Sequence, residues 1–206
     1  MISSRQPEKR PSVLLFDLGG VLVENKHIVD GLGAFLDRPL DEETVRERWL
    51  RSASARDFER GRISPGIFAT RFLREWGAQS DPQAFLDALV SWLGEPYPGA
   101  TEVVARLRGD HHVSCLTNCN ELHWAKLATF TRNFDSAFSS HLAGEVKPDA
   151  EAFEVVLNSL QVRPENVRFF DDSRSNVEGA EAVGIRGFHV AGIRGLRECL
   201  ESEGLL

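Results

Sequence analysis

No stretch of this chain approaches the ~18 consecutive apolar residues that a bilayer span requires, so no membrane segment is expected. The opening residues, Met1 to Pro11, are polar, hold two prolines and contain no apolar run. That composition excludes a secretory signal there, and it makes this the one segment expected to lack order. Basic residues form no stripe. Arginines are interspersed with acids and the net charge is −7, which argues against a nucleic-acid partner. A substrate anion must instead be captured locally, against the overall field. Cysteine is scarce: Cys115, Cys119 and Cys199 are an odd number without a framework spacing, which argues against a disulfide scaffold and fits a reduced, cytoplasmic setting. Cys115 and Cys119 stand four apart, but no second ligand pair at zinc spacing accompanies them, so they read as structural thiols. Internal repeats and low-complexity tracts are also lacking.

What is present suits a globule. Of 206 residues, 42% are hydrophobic and 27% charged, ordinary values for a soluble fold, and the length allows a core domain with a smaller inserted one. Short apolar runs at Val13–Phe16, Val113–Leu116, Val167–Phe170 and Gly187–Val190 read as buried parallel strands, with Ser136–Ser139 a weaker candidate. Helical patterns alternate with them over 101–107, 121–130, 150–160 and 176–183, the last stopped by Gly184. Phe153, Val156, Leu157 and Leu160 recur at three- and four-residue steps, one apolar helix face. The alternation predicts an α/β, Rossmann-like parallel sheet with helices on both faces.

Residues 25–97 interrupt it. Ser64-Pro65 reads as a helix start, Phe68, Phe72 and Trp76 recur every four residues, and Phe85, Leu89 and Trp92 continue a similar pattern. This aromatic stripe reads as the core of a small helical bundle. The stretch Gly94–Gly99 is a turn-rich return. The expected division is therefore a core of 1–24 and 98–206 with a helical insert of 25–97 after the first strand.

Chemistry gathers where the apolar runs end: in Asp17, in Thr117-Asn118, and in Asp171-Asp172. In open parallel sheets, ligands bind at the carboxyl edge of the strands. Three carboxylates brought there repel one another unless a cation or a shared proton intervenes, and oxygen ligands favour a hard ion. Magnesium takes one or two carboxylates and accepts phosphate as a further ligand. Lys147, in Gly144-Glu145-Val146-Lys147-Pro148, would offer a point charge to phosphate and aspartates, with Pro148 expected to begin the next helix.

The segments Phe16-Asp17-Leu18-Gly19-Gly20-Val21-Leu22, Leu116-Thr117-Asn118, Lys147-Pro148 and Phe170-Asp171-Asp172-Ser173-Arg174-Ser175-Asn176 resemble the four ordered motifs of haloacid dehalogenase-like hydrolases. The nearest likeness is to the branch with sugar-phosphate phosphatases and the phosphatase-like domain of soluble epoxide hydrolase. The resemblance covers most of residues 13–190 and puts the helical insert where the family carries its cap. It implies a Mg2+-dependent hydrolase of small-molecule phosphate monoesters. In it, Asp17 is the nucleophile forming an aspartyl-phosphate, and Asp17, the Gly19 carbonyl and Asp172 are the metal ligands. Asp171 orients a bound water or Lys147, while Thr117, Asn118 and Lys147 hold phosphate oxygens.

One departure stands out. The family's phosphatases place a second aspartate two residues after the nucleophile, where this chain has Gly19. That aspartate protonates the leaving alkoxide, help worth about two to four orders of magnitude. Three readings stay open: a substitute such as His27, Glu24 or a water; substrates whose leaving groups need little protonation; or a weakened, phosphate-binding or regulatory protein. Haloacid dehalogenase chemistry is a further family option. His123 and His141 are candidates for the site mouth, the pair His111-His112 for a turn before a strand, and Trp124 for helix packing.

Overall fold

A computed structural model describes residues 13–25 and 27–206. The expectations for Met1–Pro11 and for the His27 side chain lie outside what is described. Along the chain run β1 (Val13–Phe16), α1 (His27–Phe35), α2 (Glu42–Arg51), α3 (Ala53–Glu59), α4 (Pro65–Glu75), α5 (Pro82–Trp92), α6 (Ala100–Leu107), β2 (His112–Thr117) and α7 (Glu121–Thr131). They are followed by β3 (Ser136–Ser139), α8 (Ser140–Ala143), α9 (Ala150–Leu160), β4 (Val167–Asp171), α10 (Arg174–Ala182), β5 (Arg186–His189) and α11 (Gly192–Ser202).

Among the described residues the strands form one parallel sheet in the order β3-β2-β1-β4-β5. Successive side chains of a strand point to opposite faces. In β1, Leu14 and Phe16 enter one core, with Val104, Leu127 and Leu196, while Val13 and Leu15 enter the other, with Phe153, Val156 and Ala180. A strand buried on both faces reads as an unbroken apolar run, which is why β1 was legible. Across the sheet, Phe16, Phe170 and Phe188 stack at 5.0 Å steps. From β1 the chain works outward through β2 to β3, then returns to β4 on β1's other side. The crevice where strand order reverses therefore opens beyond the carboxyl ends of β1 and β4.

The segment α1–α5 carries its own core. Phe58, Phe68, Phe72 and Phe85 are fully enclosed, and Trp76 and Trp92 nearly so. The four-residue spacing of Phe68, Phe72 and Trp76 puts their rings in sequence, 5.2 and 5.6 Å apart. Asp41, Ser52 and Asp81 cap α2, α3 and α5 through side-chain oxygens, whereas Ser64 stands at the α4 cap position without such a bond. The two linking segments lie side by side. Glu24 N–H donates to the Glu95 carbonyl at 3.0 Å and Gly94 N–H to the Glu24 carbonyl at 3.2 Å, beside an antiparallel bridge between Val23 and Pro96.

Several local readings change. Pro148 does not begin a helix: it lies in a turn after a cis Lys147-Pro148 bond, and α9 starts at Ala150 behind its cap residue Asp149. His112 is the first residue of β2 rather than part of a turn, because its N-terminal end pairs with β1 opposite Val13. Helix α11, on which the sequence reading was silent, buries Leu196 and Leu200 against the β1 core. No helix among the described residues is long and apolar enough to cross a membrane. All three cysteines are unpaired, two of them buried.

Removing the Phe72 ring should cost about 3–5 kcal/mol, as for other large-to-small core changes. Trp49, Trp76 and Trp92 lie in α1–α5 or at its end and Trp124 in α7, so fluorescence mostly reports the helical segment. Phe72→Ala should lower the fluorescence-detected melting midpoint by roughly 10 °C or more, with a smaller early change in far-ultraviolet circular dichroism from the sheet. Coincident transitions would mean that the two cores unfold as one.

Candidate active site

The β1 register brings Asp17 level with the end of β4: its N–H donates to the Phe170 carbonyl at 2.9 Å. One carboxylate oxygen each from Asp17, Asp171 and Asp172 then lie within 4.8 Å of one another. Lys147 reaches the same place from the turn before α9. Its Nζ stands 3.0 Å from Asp17 Oδ1 and donates to Asp171 Oδ2 at 2.7 Å. The ammonium is 1% exposed and lies 5.3 Å from the Phe169 ring centre.

The turn carrying Lys147 is held on two sides. Asn118, just past β2, accepts the Lys147 N–H and donates from its amide to the Lys147 carbonyl, both at 2.9 Å. On the other side α10 packs against the Pro148 carbonyl at Gly179, where a Cβ would come within 2.4 Å. Asp171 is saturated. It takes the Ser173 N–H at 2.8 Å and the Asn176 amide at 3.0 and 3.1 Å, besides Lys147. Asn176, named within a motif but given no role, thus fixes Asp171. Asp172 sits against Gly20, whose φ is +73° and where a Cβ would meet Asp172 Oδ2 at 2.1 Å. Only glycine fits that approach and that backbone. The Asp172 carbonyl is contacted by His189 Nε2 at 2.9 Å.

Gly19 lies in a bridge with Val23 made by the Leu18 carbonyl and the Gly20 N–H, so its own carbonyl takes no part. The space above it holds the Asn25 amide, with Nδ2 3.3 Å from where a Cβ would stand. Glu24, one of the suggested substitutes, spends its backbone on the paired links, and at this point the wall is Asn25. A cavity of about 230 Å3 opens here. Asp17, Gly19, Thr117, Asn118 and Lys147 form its floor, and Ile28, Val45, Trp49, Leu50 and Glu59 of the helical segment form the opposite wall. His123 lines it too, with Nε2 2.8 Å from the Leu89 carbonyl, and burial pushes its pKa down. His141 instead braces the loop after β2, its Nδ1 2.6 Å from Ser139 Oγ and 3.1 Å from the Cys119 carbonyl. Trp124 packs edge-on against His141. Cys115 and Cys119 are enclosed thiols, that of Cys115 raised by burial to about 12.

Burial pushes the Asp17 carboxyl up to about 7 in spite of Lys147, with Asp171 and Asp172 adding in the same direction. Lys147 moves oppositely: burial disfavours its charge, but the two carboxylates outweigh that and hold it at about 12. The donor set fits a hard divalent cation. Three carboxylates converge, Lys147 stands between two of them, and Asp17 Oδ1 is buried without an aligned hydrogen bond. Asp171 is already bonded on both oxygens, and Asp17 and Asp172 are the other two carboxylates of the cluster that could meet such an ion.

A family model described as haloacid dehalogenase-like hydrolase matches residues 11–184. The chain is 29% identical over 196 residues to the sesquiterpene phosphatase astK of Aspergillus oryzae, covering 93% of this chain and 95% of that protein. It is 30% identical over 197 residues to a phosphatase of Mycobacterium tuberculosis, covering 87% of each. Its fold superposes, with a TM-score of 0.72 and 22% identity, on a haloacid dehalogenase-family enzyme of Bacteroides thetaiotaomicron solved as a magnesium complex, covering 89% and 94% of the two chains.

A carboxyl raised by folding stabilises the native state below its unfolded pKa, and that contribution is lost as pH rises through the folded value. Metal-free protein should therefore lose stability between pH about 4 and about 7 on account of Asp17. Magnesium at about 100 times its dissociation constant should raise the melting midpoint by roughly 5–10 °C at pH 8. The gain should be smaller at pH 5.5, where a proton must first leave Asp17. Asp172→Asn should remove most of it, as differential scanning fluorimetry would register.

Proposed function

The chain belongs to the haloacid dehalogenase-like hydrolases, and from that premise we propose that it hydrolyses small phosphate monoesters, with Mg2+ as cofactor and Asp17 as nucleophile. The observation that carries this reading is the convergence of Asp17, Asp171 and Asp172 beside one buried ammonium. Two relatives named as phosphatases and a magnesium-holding structural neighbour support it.

The Asp17 carboxylate attacks phosphorus. The bond to the ester oxygen breaks, the oxygen leaves as an alkoxide that takes up a proton to become the alcohol, and an aspartyl-phosphate remains. Water then attacks that phosphorus, frees Asp17 and releases inorganic phosphate. Lys147 steadies Asp17 and offers positive charge to the phosphoryl oxygens as it spreads over them in the transition state. The Thr117 hydroxyl and the N–H groups of Asn118 and of the residues after Asp17 complete the phosphate cradle. Asp171 and Asn118 position Lys147, one through the ammonium and the other through the peptide. Mg2+, held by Asp17, the Gly19 carbonyl and Asp172, would neutralise the carboxylates that otherwise repel a phosphate.

Residues 25–97 act as the cap over a core of 1–24 and 98–206, excluding bulk water while the ester is bound. Sugar phosphates are one substrate class that the family branch suggests. The wall facing the floor favours another: Ile28, Val45, Trp49 and Leu50 present apolar surface, and Leu50 is 38% exposed. Such a wall rewards an alcohol portion that sheds water, not one rich in hydroxyls. A metal-free dehalogenase would still use Asp171 to hold Lys147 but gives no reason for Asp172 to join the cluster. A decayed, phosphate-binding protein would have no reason to keep Asp17, Thr117 and Lys147 together. The unpaired cysteines fit a reducing compartment, and the cytoplasm is the proposed location.

Phosphate release should appear with Mg2+ and vanish with chelator, and Asp17→Asn should abolish it for every monoester tested. Retained turnover in that variant would refute the nucleophile assignment. Leu50→Gln should lower kcat/KM for an apolar alkyl or aryl monophosphate by roughly three- to tenfold, from partial loss of one apolar contact. A hexose phosphate should be affected less.

A further inference from the structure

The cavity contains one acid that the mechanism above leaves unused. Glu59 ends α3 and lines the cavity from the cap side, opposite Asp17, Gly19 and Lys147. Its Oε1 accepts the indole N–H of Trp49 at 2.8 Å, which fixes the carboxyl against the cap. The α3 terminus is itself clamped to the core. Arg56 Nη2 lies 2.7 Å from Asp149 Oδ2, Arg60 pairs with the same carboxylate, and Arg60 and Arg62 each approach Glu145 at 3.7 Å. Glu145 and Asp149 stand two residues either side of Lys147. Gly61, with φ +68°, presses on the His141 carbonyl so closely that a Cβ would come within 2.4 Å. Glu59 is thus tied to the same turn that delivers the ammonium.

We infer that Glu59 supplies from the cap the acid and base that Gly19 cannot supply from the floor. The inference rests on the phosphatase reading. In phosphoryl transfer the attacking and leaving oxygens lie roughly in line through phosphorus. An ester attacked by Asp17 from the sheet edge therefore points its leaving oxygen away from the floor, toward the cap wall. In the first step the Glu59 carboxyl gives its proton to that oxygen as the phosphorus–oxygen bond breaks, so the alcohol leaves neutral and Glu59 becomes a carboxylate. In the second step water adds to the aspartyl-phosphate, its proton passes to Glu59, and the bond to Asp17 breaks. Both residues return to their starting states.

The surroundings of Glu59 favour its protonated form more than those of an ordinary glutamate do. Burial raises the Glu59 pKa above the usual carboxylate range, and this outweighs the Trp49 hydrogen bond and the charges of Arg56, Lys147 and Arg60. Both guanidiniums are turned to Asp149, and Lys147 to Asp17 and Asp171. His123 and Cys119 also face the cavity from the core. The Asn25 amide over Gly19 has no acidic proton to give at neutral pH, so it cannot take this role.

The test compares an alkyl monophosphate, whose alkoxide needs a proton, with p-nitrophenyl phosphate, whose phenolate scarcely does, in wild type and Glu59→Gln. Glutamine keeps the size and the acceptor for Trp49, and a melting curve checks its fold. Alkyl kcat should fall by about two to four orders of magnitude and nitrophenyl kcat by less than about tenfold. The alkaline decline of the wild-type alkyl kcat–pH profile should vanish in the variant. Gly19→Asp introduced into Glu59→Gln should restore part of the alkyl rate, because the exposed Asn25 side chain can yield the few tenths of an ångström required. Equal losses on both esters, a change confined to KM, or no change would overturn the role of Glu59 while leaving the phosphatase intact. If wild type releases no phosphate from either ester with Mg2+, the phosphatase reading falls, and this inference with it.

Discussion

Everything at the sheet edge is organised around an ammonium that has almost no contact with water. Lys147 is 1% exposed between two aspartates, and desolvating a charge costs several kcal/mol unless close partners and hydrogen bonds compensate. Here they do, which is why its proton is held more tightly than in water. The arrangement also explains the support around it. Asn118 grips its peptide, Asn176 and Ser173 saturate its partner Asp171, and Gly179 lets α10 close against the turn. Removing any of these frees groups that are costly to leave unpaired.

The same cation makes the floor chemically asymmetric. Asp171 is consumed in holding Lys147, whereas Asp17 is left with a buried oxygen lacking an aligned donor. Two aspartates of one composition thus differ because of what their strands set beside them: one is bonded on both oxygens, the other keeps an oxygen without an aligned donor. Asp172, packed against a residue without a side chain, completes a pocket of negative charge that a divalent ion suits.

The parallel sheet and its helices were legible because β1, β2 and β4 are buried on both faces and so read as continuous apolar runs. The polar residues ending those runs are the ones that the sheet edge brings together. Other features were hidden for physical reasons. Helix α11 is different: Ile193, Leu196 and Leu200 recur at three- and four-residue steps, an apolar face that was legible in the sequence and was passed over. Pro148 looked like a helix start, but its turn serves Lys147 and α9 begins two residues later. Glu59 could not be singled out, because a glutamate in a helical segment is ordinarily a solvated charge. Its importance comes from tertiary placement alone, through a Trp49 contact ten residues away. Asn176 was visible within a motif, but its task required knowing that Asp171 needs two donors.

The paired links at Val23 and Pro96 carry a consequence for inheritance. Antiparallel partners bring the exit and re-entry points of the chain within about 5 Å of each other, so the five helices hang from the sheet like a bead on a closed clasp. A helical module with ends that close can be exchanged there while the sheet keeps Asp17, Thr117 and Asp171 in register, provided that it meets Glu145 and Asp149 as Arg56 and Arg60 do. Selectivity can then diverge by replacement of whole modules while bond-breaking chemistry stays fixed. A proton donor carried on the module would travel with it, leaving the recipient floor dependent on which module it receives.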